Sequence, residues 1–216
     1  MKKYDIILFD LDGTVTDPKE GITNSVAHSL RSYGIEVEDK NQLCKFIGPP
    51  LYDSYMKYYG FSEQKAVEAV ERYREYYSVR GIYECLLYPY METLLKNLNN
   101  AGKKVVIATS KPEIFAKKVL EYFSVDKYFH CIAGATMDGH RIDKADIIKY
   151  AFENMHIKDM SKTVMIGDRN FDVLGAKAFG MDSIGVTYGY GSREELAEAG
   201  ATYICEKVED IEKLLL

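Results

Sequence analysis

Pairs of acidic residues directly follow two short apolar runs of the sequence. The first pair is Asp10 and Asp12, and the second is Asp168 and Asp172. Carboxylates held close together are costly to ionise unless a cation neutralises them, and their hard oxygen atoms suit Mg²⁺. A carboxylate in such a place can also act as a nucleophile or transfer a proton. For the first pair alone, an Asp-rich turn is the alternative explanation.

Glycine and hydroxyl residues near the apolar runs could bind an anion. Gly13 and Thr14 complete an Asp-x-Asp-Gly-Thr sequence, in which Gly13 allows a tight turn and offers backbone amides. Thr109 and Ser110 stand at the end of another apolar run, and Pro112 follows where a helix could begin. Hydroxyls and amides near a helix N-terminus suit phosphate oxygens, although an ordinary helix cap is the better explanation when this pair is taken alone.

A lysine, Lys144, stands at the start of an apolar stripe of helical period that runs to Met155. A positive charge at a helix N-terminus opposes the helix dipole, which is slightly unfavourable. This conflict fits a lysine that is fixed in place to serve an anion. A solvated side chain is the alternative.

The elements that position these residues alternate between strands and helices. Strands are predicted at Tyr4–Phe9, Lys104–Ala108, Thr163–Ile166 and Ser183–Val186, with a weaker one at Tyr203–Cys205. Helical patterns between the later runs indicate an α/β fold with a Rossmann-like parallel sheet core. Because ligands bind at the carboxyl ends of strands in such sheets, the acidic pairs, the hydroxyls and the lysine are expected to converge.

The region that follows the first strand breaks this alternation. Residues Thr16–Arg80 hold no convincing strand, whereas Ile22–Tyr33 and the segment after Ser62 have helical patterns. We therefore predict a catalytic core of residues 1–15 and 86–216 with an inserted α-helical cap of residues 16–85.

Composition excludes several classes of protein. The chain has 216 residues, a formal net charge of −5 and no cluster of Lys or Arg, which disfavours a nucleic acid polymer as partner. No apolar segment is long enough to span a membrane or to act as a signal peptide. The four cysteines are scattered and the four histidines form no zinc motif. We therefore expect a cytoplasmic protein. Its two-part organisation favours a monomer, and the combination of acids, hydroxyls and a lysine favours a small phosphorylated metabolite as its partner.

The order of these residues resembles the four motifs of the haloacid dehalogenase-like hydrolase superfamily. The matching positions are Asp10-x-Asp12-Gly13-Thr14, Thr109 with Ser110, Lys144, and Gly167-Asp168-x-x-x-Asp172. The position of the helical insertion is similar to that in the phosphoglycolate phosphatase branch. The sequence Ile47-Gly48-Pro49-Pro50-Leu51 resembles a cap loop of 5′-nucleotidase-like members.

The resemblance implies a phosphatase with Mg²⁺ as cofactor. Asp10 would attack phosphorus to form an aspartyl phosphate, and Asp12 would protonate the leaving oxygen and later activate water. Lys144 and Thr109 would stabilise the phosphoryl group. The carboxylates of Asp10 and Asp168 and the backbone carbonyl of Asp12 would hold the metal, supported by Asp172. Further substrate-binding residues are expected at Gly13, Thr14, Ser110, Gly48, Pro49 and Asn170.

Other functions are weighed against this one from the sequence. A phosphomutase of the same superfamily would use the same motifs, but such enzymes tend to carry a His soon after the first motif, and none precedes His28 here. A dehalogenase would not need Asp12 as a proton donor. A non-catalytic binding protein could keep the fold. Among phosphatases, the many tyrosines from Leu51 to Tyr90 favour a nucleotide slightly over phosphoglycolate, unless those rings serve packing.

Overall fold

The computed structural model describes residues 4–216. The chain divides into two compact units. One contains the residues up to Asp17 together with Leu87–Leu216, and the other is Pro18–Leu86.

Strands and helices alternate along most of the described chain. The strands are β1 Ile6–Phe9, β2 Thr16–Asp17, β3 Leu86–Leu87, β4 Lys104–Pro112, β5 Cys131–Ala135, β6 Thr163–Gly167, β7 Asp182–Val186 and β8 Tyr203–Cys205. The α-helices are α1 Lys19–Arg31, α2 Leu51–Tyr59, α3 Glu63–Tyr77, α4 Met91–Asn100, α5 Glu113–Tyr122, α6 Lys144–Met155, α7 Asn170–Ala178, α8 Arg193–Ala199 and α9 Val208–Leu215. Short 3₁₀ helices lie at Lys40–Phe46, Gly81–Tyr83, Asp126–Tyr128 and Met160–Lys162.

Within residues 4–216, the larger unit is built on a six-stranded parallel sheet in the order β5-β4-β1-β6-β7-β8. β1 is central, and its last residue, Phe9, is level with Ile107 of β4 and Ile166 of β6. β4 and β6 therefore lie on either side of β1, and residues that follow these strands meet at one edge. In open α/β sheets this is the edge at which ligands bind.

Apolar strand residues and one helix face form the core beneath that edge. Leu8, Val106 and Met165 of adjacent strands pack with Ile147 and Ile148 of α6, and each of these side chains is buried. Burying such side chains contributes about 1.5–3 kcal/mol each, so the core holds the strand ends firmly.

The smaller unit is helical. Ser62 caps the N-terminus of α3 by accepting a hydrogen bond of 3.4 Å from the Lys65 amide. The Ser29 hydroxyl of α1 donates a 2.7 Å bond to the Ala69 carbonyl of α3, so these two helices are joined by a buried polar contact. Gly21 lies so near a neighbouring segment that a Cβ there would be 1.9 Å from the Gly81 carbonyl oxygen.

The predicted α/β class with a parallel sheet is confirmed, and so are the strand at Tyr203–Cys205 and the helices at α1, α3 and α6. Two details differ. The expectation of no strand in Thr16–Arg80 is wrong at its first two residues, which form β2. The sheet also contains β5, which sequence reasoning missed because Cys-Ile-Ala-Gly-Ala consists mostly of small residues and is poor in β-branched ones.

Candidate active site

The four predicted motifs of the larger unit meet at the carboxyl edge of the sheet. Asp10 directly follows β1, and its amide donates a 2.8 Å bond to the Ile166 carbonyl of β6, which extends the parallel pairing by one residue. Asp168 directly follows β6, and Thr109 lies within β4. Asp10, Thr109 and Asp168 are buried residues, with 7%, 1% and 1% of their surface exposed.

Lys144 is buried at the N-terminus of α6 and contacts two of the acids. Its Nζ lies 3.0 Å from Oδ1 of Asp10 and 2.7 Å from Oδ1 of Asp172, and it donates a 2.9 Å bond to the Ala108 carbonyl. Burial by itself lowers the pKa of Lys144, but the two carboxylates outweigh it and raise that pKa. The lysine is therefore charged at neutral pH and fixed beside Asp10.

A second lysine, Lys111, pairs with Asp12. The Lys111 ammonium binds Oδ2 of Asp12, and both side chains are largely buried. Oδ1 of Asp12 is also buried, and it makes no hydrogen bond with any residue in the described part of the chain. Burial raises the pKa of Asp12, and the Lys111 charge opposes that rise.

Three carboxylates form a cluster that could hold a cation. Oxygen atoms of Asp10, Asp168 and Asp172 all lie within 4.8 Å of one another, and all three residues are buried. Oδ1 of Asp168 accepts a 3.3 Å bond from the Thr14 hydroxyl, and Oδ2 accepts a 2.8 Å bond from the Tyr190 amide. These bonds orient Asp168 toward its neighbours in the cluster.

The electrostatics of the cluster fit a divalent cation. Burial, then the charges of Asp172 and Asp10, raise the pKa of Asp168 well above its usual range. Burial also raises the pKa of Asp172 to about 6, although Lys144 opposes the shift. One lysine cannot balance three buried carboxylates, so a hard cation bound by their oxygens would remove the remaining cost.

Gly13 leaves the space that Asp168 occupies. Its φ is +85°, a conformation that L side chains rarely adopt, and a Cβ there would be 2.3 Å from Oδ2 of Asp168. The glycine is therefore needed both for the turn and for the approach of the carboxylate.

The other predicted residues occupy different places. Thr109 Oγ1 accepts a 3.2 Å bond from the Lys111 amide, and Ser110 is the next residue of β4. Asn170 begins α7 after the acidic loop, and its buried Oδ1 has no hydrogen-bond partner between residues 4 and 216. Gly48 and Pro49 belong to the helical unit and precede α2, so their role stays a prediction.

Two contributors were missed by sequence reasoning. Lys111 follows Thr109 and Ser110 directly, and its charge next to two hydroxyls could have drawn attention to it. Tyr190 reaches Asp168 through its backbone amide, so its side chain gave no indication of this contact.

Comparisons with known proteins agree with this geometry. The chain matches the family described as haloacid dehalogenase-like hydrolase over residues 7–186. It is 41% identical over 213 residues to a Pseudomonas aeruginosa protein named 5′-nucleotidase, covering 99% of this chain and 96% of that one. It is 36% identical over 199 residues to the Mycobacterium tuberculosis tyrosine-protein kinase PtkA, covering 92% and 67%. A crystal structure described as a predicted phosphatase from Clostridium acetobutylicum superposes with a TM-score of 0.95 at 47% identity, covering 99% and 98%.

The fold, the acidic cluster and the match over most of the chain define a hydrolase of the α/β class. The chain belongs to the haloacid dehalogenase-like hydrolase family, as the motifs had indicated, and it falls among the phosphatases of that family. No helix within residues 4–216 is both long and apolar enough to cross a bilayer.

Proposed function

We propose that the chain is a Mg²⁺-dependent phosphatase that hydrolyses a small phosphate monoester through an aspartyl phosphate on Asp10. The observation that carries this proposal is the placement of Asp10. Its carboxylate lies beside the Lys144 ammonium, within the acidic cluster, and two residues before a second acid that has its own lysine.

The carboxylates of Asp10, Asp168 and Asp172, with the backbone carbonyl of Asp12, would hold Mg²⁺. When bound, the ion would neutralise charge on the phosphoryl oxygens and on the clustered acids. Lys144 balances only part of the charge of these three buried acids, and the remainder supports this assignment.

The proposed reaction has two stages. Asp10 attacks phosphorus, the bond from phosphorus to the ester oxygen breaks, and Asp12 gives its proton to that oxygen. Asp12 then takes a proton from water as the water oxygen attacks the aspartyl phosphate, which frees phosphate and Asp10. Lys144 and the hydroxyl of Thr109 stabilise the phosphoryl oxygens, and such a contact is typically worth roughly 10²–10³ in turnover.

We propose a nucleoside 5′-monophosphate as the preferred substrate, with phosphoglycolate as the alternative. The relative named 5′-nucleotidase supports this choice. In the helical unit, rings of Phe46, Tyr55 and Phe61 are buried and serve packing. Tyr58 is half-buried instead, and the Lys45 ammonium lies 4.5 Å from its ring centroid. An aromatic ring beside a cation suits a base and an anionic group.

Phosphate release from a panel of esters tests the proposal. The panel contains nucleoside 5′-monophosphates, phosphoglycolate, sugar phosphates and p-nitrophenyl phosphate, each with Mg²⁺ and with chelator. Asp10→Asn should abolish release, whereas Asp5→Asn, at the exposed other end of β1, should leave it unchanged.

A second experiment detects the proposed intermediate. Reduction of the quenched enzyme with borohydride, followed by mass spectrometry, should find the acyl phosphate at Asp10. Full activity in chelator, or in Asp10→Asn, would contradict the mechanism.

A further inference from the structure

Lys111 and Asp12 form an ion pair that is removed from solvent. The side chains are 5% and 16% exposed, and the ammonium binds Oδ2 of the carboxylate. A buried lysine carries a large desolvation cost, so its position needs a partner that is itself charged and fixed.

The strand that carries Lys111 is irregular at this point. β4 pairs with β5 in register up to Thr109 and Gly134, and the register then shifts before Pro112 pairs with Ala135. An irregularity of this kind redirects the side chains beside it. Thr109 Oγ1 accepts the Lys111 amide across the shift.

Gly134 makes room for this irregularity. A Cβ at that position would lie 2.8 Å from the Lys111 carbonyl oxygen and 2.6 Å from Cα of Glu113. The bulge is therefore accommodated by the neighbouring strand.

The two buried lysines of the site serve different acids. The Lys144 ammonium contacts Asp10, Asp172 and the Ala108 carbonyl. Asp12 is paired with Lys111 instead, through Oδ2. Its Oδ1 remains without a hydrogen-bond partner among residues 4–216.

We propose that Lys111 is a positioning residue that holds Oδ2 of Asp12, so that Oδ1 is presented to the ester oxygen of the substrate. The inference rests on the proposed function, in which Asp12 protonates the leaving oxygen. In that step the Asp10 oxygen forms a bond to phosphorus, the bond from phosphorus to the ester oxygen breaks, and the Asp12 proton moves to the ester oxygen. Lys111 exchanges no proton and acts through the orientation of Asp12.

Leaving-group dependence separates this role from a structural one. We compare Lys111→Met with the wild type in kcat/KM for an alkyl phosphate and for p-nitrophenyl phosphate. The alkoxide of an alkyl phosphate must be protonated in order to leave, whereas p-nitrophenolate is stable enough to leave without a proton. The variant should lose about 10²-fold or more on the alkyl ester, in line with general acid catalysis, and about tenfold or less on the aryl ester. An equal loss on both esters, or no loss, would overturn the proposal.

Two further variants make the result decisive. Lys117→Met removes an exposed lysine of α5 and should leave both rates unchanged. The double variant Asp12→Asn/Lys111→Met removes both charges of the pair, which leaves no buried charge unpaired if Lys111→Met alone fails to fold. It should be no slower than Asp12→Asn on either ester, because Lys111 acts through Asp12. If the loss of the double variant equals the product of the losses of the two single variants, Lys111 acts independently of Asp12 and the positioning role is overturned.

The same data distinguish this inference from the function on which it rests. If Asp12→Asn shows the selective loss on the alkyl ester and Lys111→Met does not, the assignment of Lys111 is wrong and that of Asp12 stands. If Asp12→Asn itself shows no selective loss on the alkyl ester, Asp12 is not the proton donor and both assignments fall.

Discussion

At the scale of the residue, Gly13 is constrained twice, by a φ of +85° and by the Asp168 carboxylate beside it. We predict that Gly13→Ala lowers both the free energy of unfolding and the affinity for Mg²⁺. The left-handed conformation costs an alanine about 1–2 kcal/mol, and the methyl group must also displace Asp168. Denaturant unfolding and calorimetric titration with Mg²⁺ measure the two effects.

Gly102→Ala provides the matched control for that prediction. Gly102 has a φ of +73°, and a Cβ there would meet nothing within 4 Å. This variant should show the conformational cost without any change in Mg²⁺ affinity. Equal Mg²⁺ affinity in Gly13→Ala and the wild type would show that Asp168 is not held by the contact with Gly13.

At the scale of the element, strands with large apolar or β-branched residues were predictable, and the strand of small residues, β5, was not. β1, β6 and β7 are buried parallel strands, and their β-branched runs identify them directly. β5 has small residues because α5 and the bulge of β4 lie close to it, as the space around Gly134 shows. The small residues of β5 are explained by this tertiary packing, which cannot be predicted from a local sequence pattern.

The site shows the same division. Asp10, Asp168 and Lys144 were predictable because each stands at the end of a strand or the start of a helix, and topology brings such positions together. The Lys111 contact was not, because it depends on a shift in register between β4 and β5. A shift of this kind changes where a side chain points without changing the hydrophobic pattern.

Strand β8 carries a buried thiol whose titration affects stability. Burial, then the charge of Asp210, raises the pKa of Cys205 from 9.0 to about 11. The folded state therefore keeps its proton where the unfolded chain loses it, so stability falls as pH rises from about 9 to 11. We predict that Cys205→Ala weakens this fall, by at most about 1.4 kcal/mol per pH unit.

Urea unfolding of wild type and Cys205→Ala at pH 7.5 and at about pH 10.5 measures the effect. The loss of packing in the variant is the same at both pH values, so the difference between them reports the thiol. An identical fall in both proteins would show that Cys205 titrates normally in the folded state.

At the scale of the whole molecule, the acidic cluster that would bind the metal also lowers the stability of the fold. Buried like charges at Asp10, Asp168 and Asp172 oppose folding, and Lys144 offsets part of that cost. The central strands and α6 must therefore be stable enough to hold the cluster before any cation binds. The close packing of Leu8, Met165 and Ile147 beneath the sheet edge supplies that support.

This balance predicts that Asp168→Asn is more stable than the wild type in chelator and less stable than the wild type in Mg²⁺. Removing one charge should make the variant more stable than the wild type in chelator at about pH 8, where the raised pKa of Asp168 makes its ionisation costly. Mg²⁺ at 100 times its dissociation constant should stabilise the wild type by about 2.7 kcal/mol, and the variant by much less, because a ligand is lost. Thermal unfolding with chelator and with Mg²⁺ tests this, and Asp5→Asn should behave as the wild type in both. A wild-type melting temperature that does not respond to Mg²⁺ would mean that the cluster is neutralised by protons instead of a metal.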